Sequence, residues 1–186
     1  IPANNLKEFA AWAKKNGKPV IIASYAPAAV PALIAAKIAK RDGWPYKVVS
    51  FPNPTIKELI AGDADLSTAG AEGALSYAKA GQTKILSAWG PERNPNYPNA
   101  ATPKEEGYGE LFTWGGMAAP VGVPKDIINK LSSVMMEALK DKPVQDQLKK
   151  SGIPGLPMTA DQMSKRVADD SKWISELMTE LGMTKK

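Results

Sequence analysis

Short apolar runs recur along the first half of the chain, spaced so that one helix fits between each pair. Val20-Ile21-Ile22-Ala23 is wholly apolar, as strands buried on both faces are. Lys47 to Phe51, Asp65 to Thr68 and Lys84 to Trp89 follow as further predicted strands. The segments between them read as helices. Asn5 is a predicted helix cap with Glu8 as its capping-box partner, ahead of an apolar stripe of Leu6, Phe9, Ala10 and Ala13 that Gly17 closes. Pro31 suits the first turn of a helix running through Ala36 and Ile38 to Arg41. Pro54 to Ala61, closed by Gly62, and Glu72 to Ala80, closed by Gly81, complete the series. Strands that alternate with helices call for crossover connections, hence a mostly parallel sheet with helices on its faces. The predicted fold class is therefore α/β.

The second half changes character. Three prolines between Gly90 and Thr102 mark a loop. Thr102-Pro103-Lys104-Glu105 reads as a one-turn helix with cap, N1 proline and capping-box glutamate, stopped by Gly107. Leu111 to Ala118 reads as a strand weakened by Gly115 and Gly116. Beyond it the pattern is helical. Lys125 to Leu139 places Ile127, Ile128, Leu131, Val134, Met135 and Leu139 on one face. Pro143 opens a short helix ended by Gly152, and Thr159 with Gln162 caps a final helix carrying Met163, Val167, Ile174, Leu177, Met178 and Leu181. The methionines on this last stripe read as core filler.

Two absences narrow the chemistry. The chain has no Cys and no His, which excludes thiol nucleophiles, thiolate metal sites, imidazole bases and Ser-His-Asp triads. No catalytic residue, metal ligand or cofactor is expected. The net charge is +5, but the lysines are scattered among acidic neighbours, as in Lys7-Glu8 and Lys104-Glu105-Glu106, so solvated helix faces are expected rather than a nucleic-acid surface. No apolar run approaches the 18 or so residues of a membrane helix. The chain opens at Ile1-Pro2 without the charged and apolar regions of a signal peptide.

Several segments, in order along the chain, resemble the solute-binding proteins of the tripartite tricarboxylate transporter family. Pro54-Thr55-Ile56-Lys57-Glu58-Leu59-Ile60-Ala61-Gly62-Asp63-Ala64-Asp65 is similar to the family's "A-P-A-L-x-D-L-L-A-G-Q-V-D". Asp65 to Gly81 aligns without a gap to its next segment, and Lys79-Ala80-Gly81 matches that segment's ending. Trp114-Gly115-Gly116-Met117-Ala118-Ala119-Pro120 resembles its "W-Y-G-L-x-A-P" crossover. Glu137-Ala138-Leu139, Pro143-Val144 and Lys172-Trp173 fit its C-terminal helices.

The resemblance implies a lobe of the type II periplasmic-binding-protein fold, mostly parallel sheet flanked by helices, followed by a helical C-terminal segment. It places residues 4–112 in the second ligand-binding lobe. Residues 113–186 become a crossover strand and helices that belong with a first lobe, whose N-terminal part would precede Ile1. It also implies a periplasmic location, a small mono- or dicarboxylate ligand, membrane transporter subunits as partners, and either a first lobe or a second copy to cover the helix that follows Lys125. Where the family carries "G-x-G-S-x-x-H", this chain reads Ser24-Tyr25-Ala26-Pro27-Ala28-Ala29-Val30. Where it carries a Phe-Asp pair, this chain has Thr68-Ala69. The scaffold is kept and the ligand contacts are rewritten.

The chemistry of parallel sheets points to the same edges. Ligands sit at the C-terminal ends of strands, where free backbone N–H groups and the helix dipole favour a carboxylate. Candidate ligand-binding residues are Ser24, Tyr25, Ala26, Val30 and Ala32 at one junction, and Thr68, Ala69 and Gly70 at the other. Pro31 lacks an N–H, which leaves those of Val30, Ala32 and Leu33. Trp114 is a candidate floor of the cleft. The competing readings are that Ser24 and Thr68 cap their own helices, that Tyr25 packs, and that Trp114 is core. At the level of function, the competitors are a receptor of an ABC-type importer and a sensor or partner-binding module without a transport role.

Overall fold

The computed structural model of the protein describes residues 1–51, 56–153 and 155–183. The chain divides into two compact units. Unit 1 comprises Ile1–Thr113 together with Leu177–Lys186, and unit 2 comprises Trp114–Glu176.

Unit 1 is built in the order α1 (Leu6–Asn16), β1 (Val20–Ser24), α2 (Val30–Asp42), β2 (Tyr46–Ser50), α3 (Ile56–Ala61), β3 (Leu66–Ser67) and α4 (Ala71–Lys79). The sheet has the order β2-β1-β3 with both pairings parallel. The central strand is the wholly apolar one, as expected for a strand covered on both faces. Its Val20, Ile22 and Ala23 are buried with Phe9 and Ala13 of α1 and with Leu33, Ile34 and Ala39 of α2. An aromatic chain runs through this core. The Phe9 ring stands 5.6 Å from Trp44 in an edge-to-face arrangement, and Trp44 stands 6.3 Å from Tyr46.

The predicted helix ends are set as the residue types require. Asn5 Oδ1 accepts the Glu8 N–H, and the Glu8 carboxylate accepts the Asn4 N–H, one residue before the position a standard capping box would use. Gly17 (φ +67°) and Gly43 (φ +70°) close α1 and α2 in the left-handed region. Of the helix predicted from Pro54, Ile56–Ala61 is described, and Pro54 and Thr55 lie outside the described residues.

Three expectations are corrected. Lys84 to Trp89 is not a strand: it lies beside coil, with the Ala88 N–H on the Ala101 carbonyl, and it packs through Ile85 and Ala88 around Tyr97, Ala100 and Leu75. A single backbone bond to coil makes no ladder. Thr102 to Glu105 forms its reciprocal box, Thr102 Oγ1 to the Glu105 N–H and Glu105 Oε2 to the Thr102 N–H, but the chain stops at a turn without becoming a helix. Glu106 is also not a solvated charge. It is buried, and its Oε1 accepts the Leu6 N–H at the start of α1, an anion at the positive end of a helix. Burial raises its carboxyl above the usual carboxylate range, against the pull of the Lys7 and Leu6 amides.

Unit 2 holds α5 (Lys125–Ala138), α6 (Lys142–Ser151) and most of α7 (Ala160–Glu180). The strand expected over Leu111 to Ala118 is absent. Its glycines stand in coil, Met117 is 75% exposed, and no described strand lies beside it. Gly152 closes α6 at φ +66°. Thr159 and Gln162 form the predicted box at the start of α7. The Ala160 N–H donates to Ser132 Oγ of α5, and the Trp114 indole N–H donates to Asp170, which also accepts Arg166. No residue of α5 is buried. Ile127, Leu131, Val134 and Met135, the stripe expected to need a first lobe or a second copy to cover it, are exposed, as is Val167 of α7.

Candidate functional site

The strand order 2-1-3 sets the candidate site. From β1 the chain goes to one neighbour, and from β2 it crosses over β1 to reach β3. The crevice at the C-terminal ends of β1 and β3 is therefore a topological switch point, the place where open parallel sheets bind ligands. The register pairs Ala23 with Ser67, so Ser24 and Thr68 stand next in line at the same sheet end. The sequence-derived junctions around Ser24 and Thr68 thus come to one edge, with α2 and α4 starting from it.

Ser24 is buried, and its hydroxyl donates to the Ala26 carbonyl at 3.0 Å while its own carbonyl accepts the Phe51 N–H. It does not cap α2. The cap position is Ala29, which has no side chain to offer. Nor does Thr68 cap α4, since that position is Gly70, also without a side-chain bond. Thr68 and Ala69 are half-buried and Gly70 is exposed. Tyr25 is 62% exposed, so it is not a core residue. Ala26 and Val30 are half-buried, and Ala32 is fully buried beneath the first turn of α2.

At the start of α2 the Leu33 N–H is already bonded to the Ala29 carbonyl. This corrects the expectation that three amides are open there. Among the described residues nothing accepts from the first-turn amides of Val30 and Ala32, which are about enough for one carboxylate. Across 24–33 and 66–73 there is no Lys or Arg, and Glu72 supplies the single formal charge. Within these two stretches the favourable potential comes from backbone amides and the dipoles of α2 and α4.

Trp114 lies in unit 2, half-buried, with its indole N–H committed to Asp170. Unit 2 also has an open groove lined by Asn129, Ser132, Met136, Thr159 and Asp161, with no cationic side chain for an anion. Among the described residues no cluster of acidic side chains is arranged to hold a metal, and no helix is long and apolar enough to cross a membrane.

Comparison with known proteins places these features. The family described as "Tripartite tricarboxylate transporter family receptor" matches residues 1–183. A curated relative, the "UPF0065 protein in gbd 5'region" of Cupriavidus necator, is 24% identical over 99% of this chain and 57% of its own length. The structure of the periplasmic binding protein BugD matches 100% of this chain and 64% of its own, with a TM-score of 0.81 and 25% identity. MatC from Rhodopseudomonas palustris with bound malate matches 95% of this chain and 62% of its own, with a TM-score of 0.73 and 21% identity; that likeness shows the fold. The chain spans somewhat under two thirds of each of these proteins.

Proposed function

The chain belongs to the tripartite tricarboxylate transporter receptor family, and from that premise we propose that it is part of an extracytoplasmic receptor for a small organic carboxylate. The receptor works in the periplasm and hands its ligand to the membrane subunits of a tripartite transporter. The observation that carries the reading is the switch-point edge, where Ser24 and Thr68 follow the paired Ala23 and Ser67 and where no described residue accepts from the Val30 and Ala32 amides. Ser24, Tyr25, Ala26, Val30, Ala32, Thr68, Ala69 and Gly70 form one wall of the site. Trp114 belongs to the crossover and is the least supported member, since Asp170 holds its polar atom.

In this reading residues 4–112 are the second ligand-binding lobe. Residues 113–186 are a crossover and helices that belong with a first lobe, apart from the return at Leu177–Lys186, which joins unit 1. The exposed stripe of α5 supports it, because a face of Ile127, Leu131, Val134 and Met135 is built for an apolar partner. The missing cation at the edge supports a ligand less polar than the malate bound by MatC, namely a singly charged carboxylate with an apolar or aromatic body against Tyr25. The chain has no turnover in this account. It carries no His or Cys, and its structural likeness is to a binding protein.

A thermal-shift panel of aliphatic and aromatic mono- and dicarboxylates tests the reading. At a hundredfold excess over its dissociation constant, a ligand adds about 2.7 kcal/mol of stability. Monocarboxylates with an apolar body are expected to shift the melting temperature most. A panel in which no carboxylate shifts it overturns the receptor reading. Sustained hydrolysis of esters, amides or phosphoesters that follows the protein through gel filtration overturns the non-enzyme reading.

A further inference from the structure

The last turn of α2 holds a cluster that ligand capture at the other end of the helix does not use. Lys40 Nζ donates to the Glu180 carbonyl at 2.6 Å and stands 3.6 Å from the Glu180 carboxylate. Arg41 donates to the Gly107 carbonyl and lays its guanidinium 4.2 Å over the Tyr108 ring. Asp42 accepts the Tyr108 hydroxyl. Burial and the Asp42 carboxylate push that phenol well above its ordinary value, with Arg41 pulling the other way. Three consecutive residues thus grip two stretches of chain far apart in sequence.

Those two stretches have something in common. Gly107 and Tyr108 lie on the last stretch of unit 1 before the chain leaves it after Thr113. Glu180 lies on the first stretch after the chain returns at Leu177. Both passages between the units are therefore fastened, inside unit 1, to one turn of one helix. The same outgoing stretch is held a second time, by Glu106 on the start of α1.

We propose that the C-terminal turn of α2 is the anchor of the hinge, making both passages move as one body with α2. Two-lobed proteins close by rotation about the few residues where the chain crosses between lobes. Crossings pinned separately would flex separately, whereas crossings pinned to one helix share one axis. The thirteen residues of α2 span about 20 Å. The helix begins at the carboxylate edge and ends at the anchor, so a ligand that tightens its first turn acts on a rod whose far end sets the hinge. The link to the ligand rests on the receptor reading; the anchor itself does not. Lys40, Arg41, Asp42 and Tyr108 are positioning residues in this account. The lysine pair is half-exposed and weak by itself. The buried Tyr108 hydroxyl is the stronger fastening.

Hydrogen exchange read by mass spectrometry tests the anchor without any ligand, so its outcome is separate from that of the thermal-shift panel. Tyr108→Phe removes one hydroxyl and keeps the ring. It is expected to speed amide exchange roughly five- to tenfold over 104–110, and also over 177–183, although the lost hydroxyl bonds Asp42 and not that segment. Lys40→Ala is expected to produce the reciprocal effect, loosening 104–110 as well as 177–183, and Lys40→Arg to restore both. Exchange in the strands 20–24 and 46–50 is expected to stay as in the parent. If each substitution loosens only the segment it contacts, the two passages are fastened independently and the proposal fails. It fails equally if the strands loosen to the same degree, because the cluster is then ordinary core.

Discussion

Helices α2 and α5 are near equals in length, at 13 and 14 residues, and both carry apolar side chains at helical spacing, yet they end in opposite environments. In α2, Ala32, Leu33, Ile34, Ala35, Ala36, Ile38 and Ala39 are all buried. In α5 nothing is. The difference lies in what each unit supplies. Unit 1 has a three-stranded sheet whose central strand is apolar from Val20 to Ala23, and α2 closes over it. The described residues of unit 2 form no strand, and α5 meets the start of α7 at Ser132 and Ala160 without burying any residue of its own. An amphipathic stripe states that a partner is needed; it does not say that the same stretch of chain provides it.

The sharpest test of the contrast is a matched pair of truncations. Leu33→Ala, at a fully buried position, is expected to cost about 2–5 kcal/mol in urea unfolding. Leu131→Ala, at a position 53% exposed, is expected to change stability by no more than about 0.5 kcal/mol. Equal costs would mean that the α5 stripe is covered in solution, and the contrast between the units would fall.

Next in size is the effect of the stripe on association. Covering a large apolar side chain is worth about 1.5–3 kcal/mol, so the chain on its own is expected to self-associate through α5. Light scattering across a concentration series would show a rising mass. Leu131→Glu with Met135→Glu would hold the mass at that of a monomer while leaving the unit 1 fold intact. A parent chain that stays monomeric throughout would break the expectation.

The helix caps sharpen the contrast at a smaller scale. Asn5→Ala removes the Glu8 cap on a helix packed into the unit 1 core and is expected to cost about 1 kcal/mol. Thr159→Ala removes an equivalent bond from α7. Because that helix begins in unit 2, the loss is expected to appear as reduced helicity by circular dichroism, with less change in the main unfolding midpoint.

The smallest effect is a dependence on pH. Glu106 has its carboxyl raised by burial. A raised folded value means that the folded state holds its proton more tightly than the unfolded chain does. The contribution of Glu106 is then fully present below the ordinary carboxylate value and is lost as pH rises through the raised one. Glu106→Gln is expected to flatten the pH profile of unit 1 stability across that window. A profile with the same slope in the variant would assign the dependence to another group.

Much of unit 1 was legible in its sequence, for local reasons. Asn5, Gly17, Gly62 and Gly81 are residue types that a helix end demands, and each stands where a helix ends or just beyond. The Val20 to Ala23 run is too apolar to be anything but central. The expectations failed where an element depended on a neighbour. Lys84 to Trp89 and Leu111 to Ala118 have strand-like composition, but a strand exists only beside another strand, and among the described residues none lies next to them. Glu106 looked like the middle of a charged, solvated turn. Only the approach of α1, a hundred residues away in sequence, turns it into a buried helix cap.

The candidate site divides the same way. Sequence alone determined that two strand-to-helix junctions, at Ser24 and at Thr68, carry hydroxyls and small residues but no cation, because residue type and order are all that such a statement needs. The tertiary structure decided that these junctions are neighbours, since the placement of β3 beside β1 depends on a crossover over the central strand that no local pattern encodes. It also decided which groups are committed. The Ser24 hydroxyl is spent on Ala26 and the Leu33 amide on Ala29, while no described residue accepts from the Val30 and Ala32 amides. A hydrogen-bonding group is available or committed only by virtue of what stands within about 3 Å of it, and that is a property of the fold rather than of the residue.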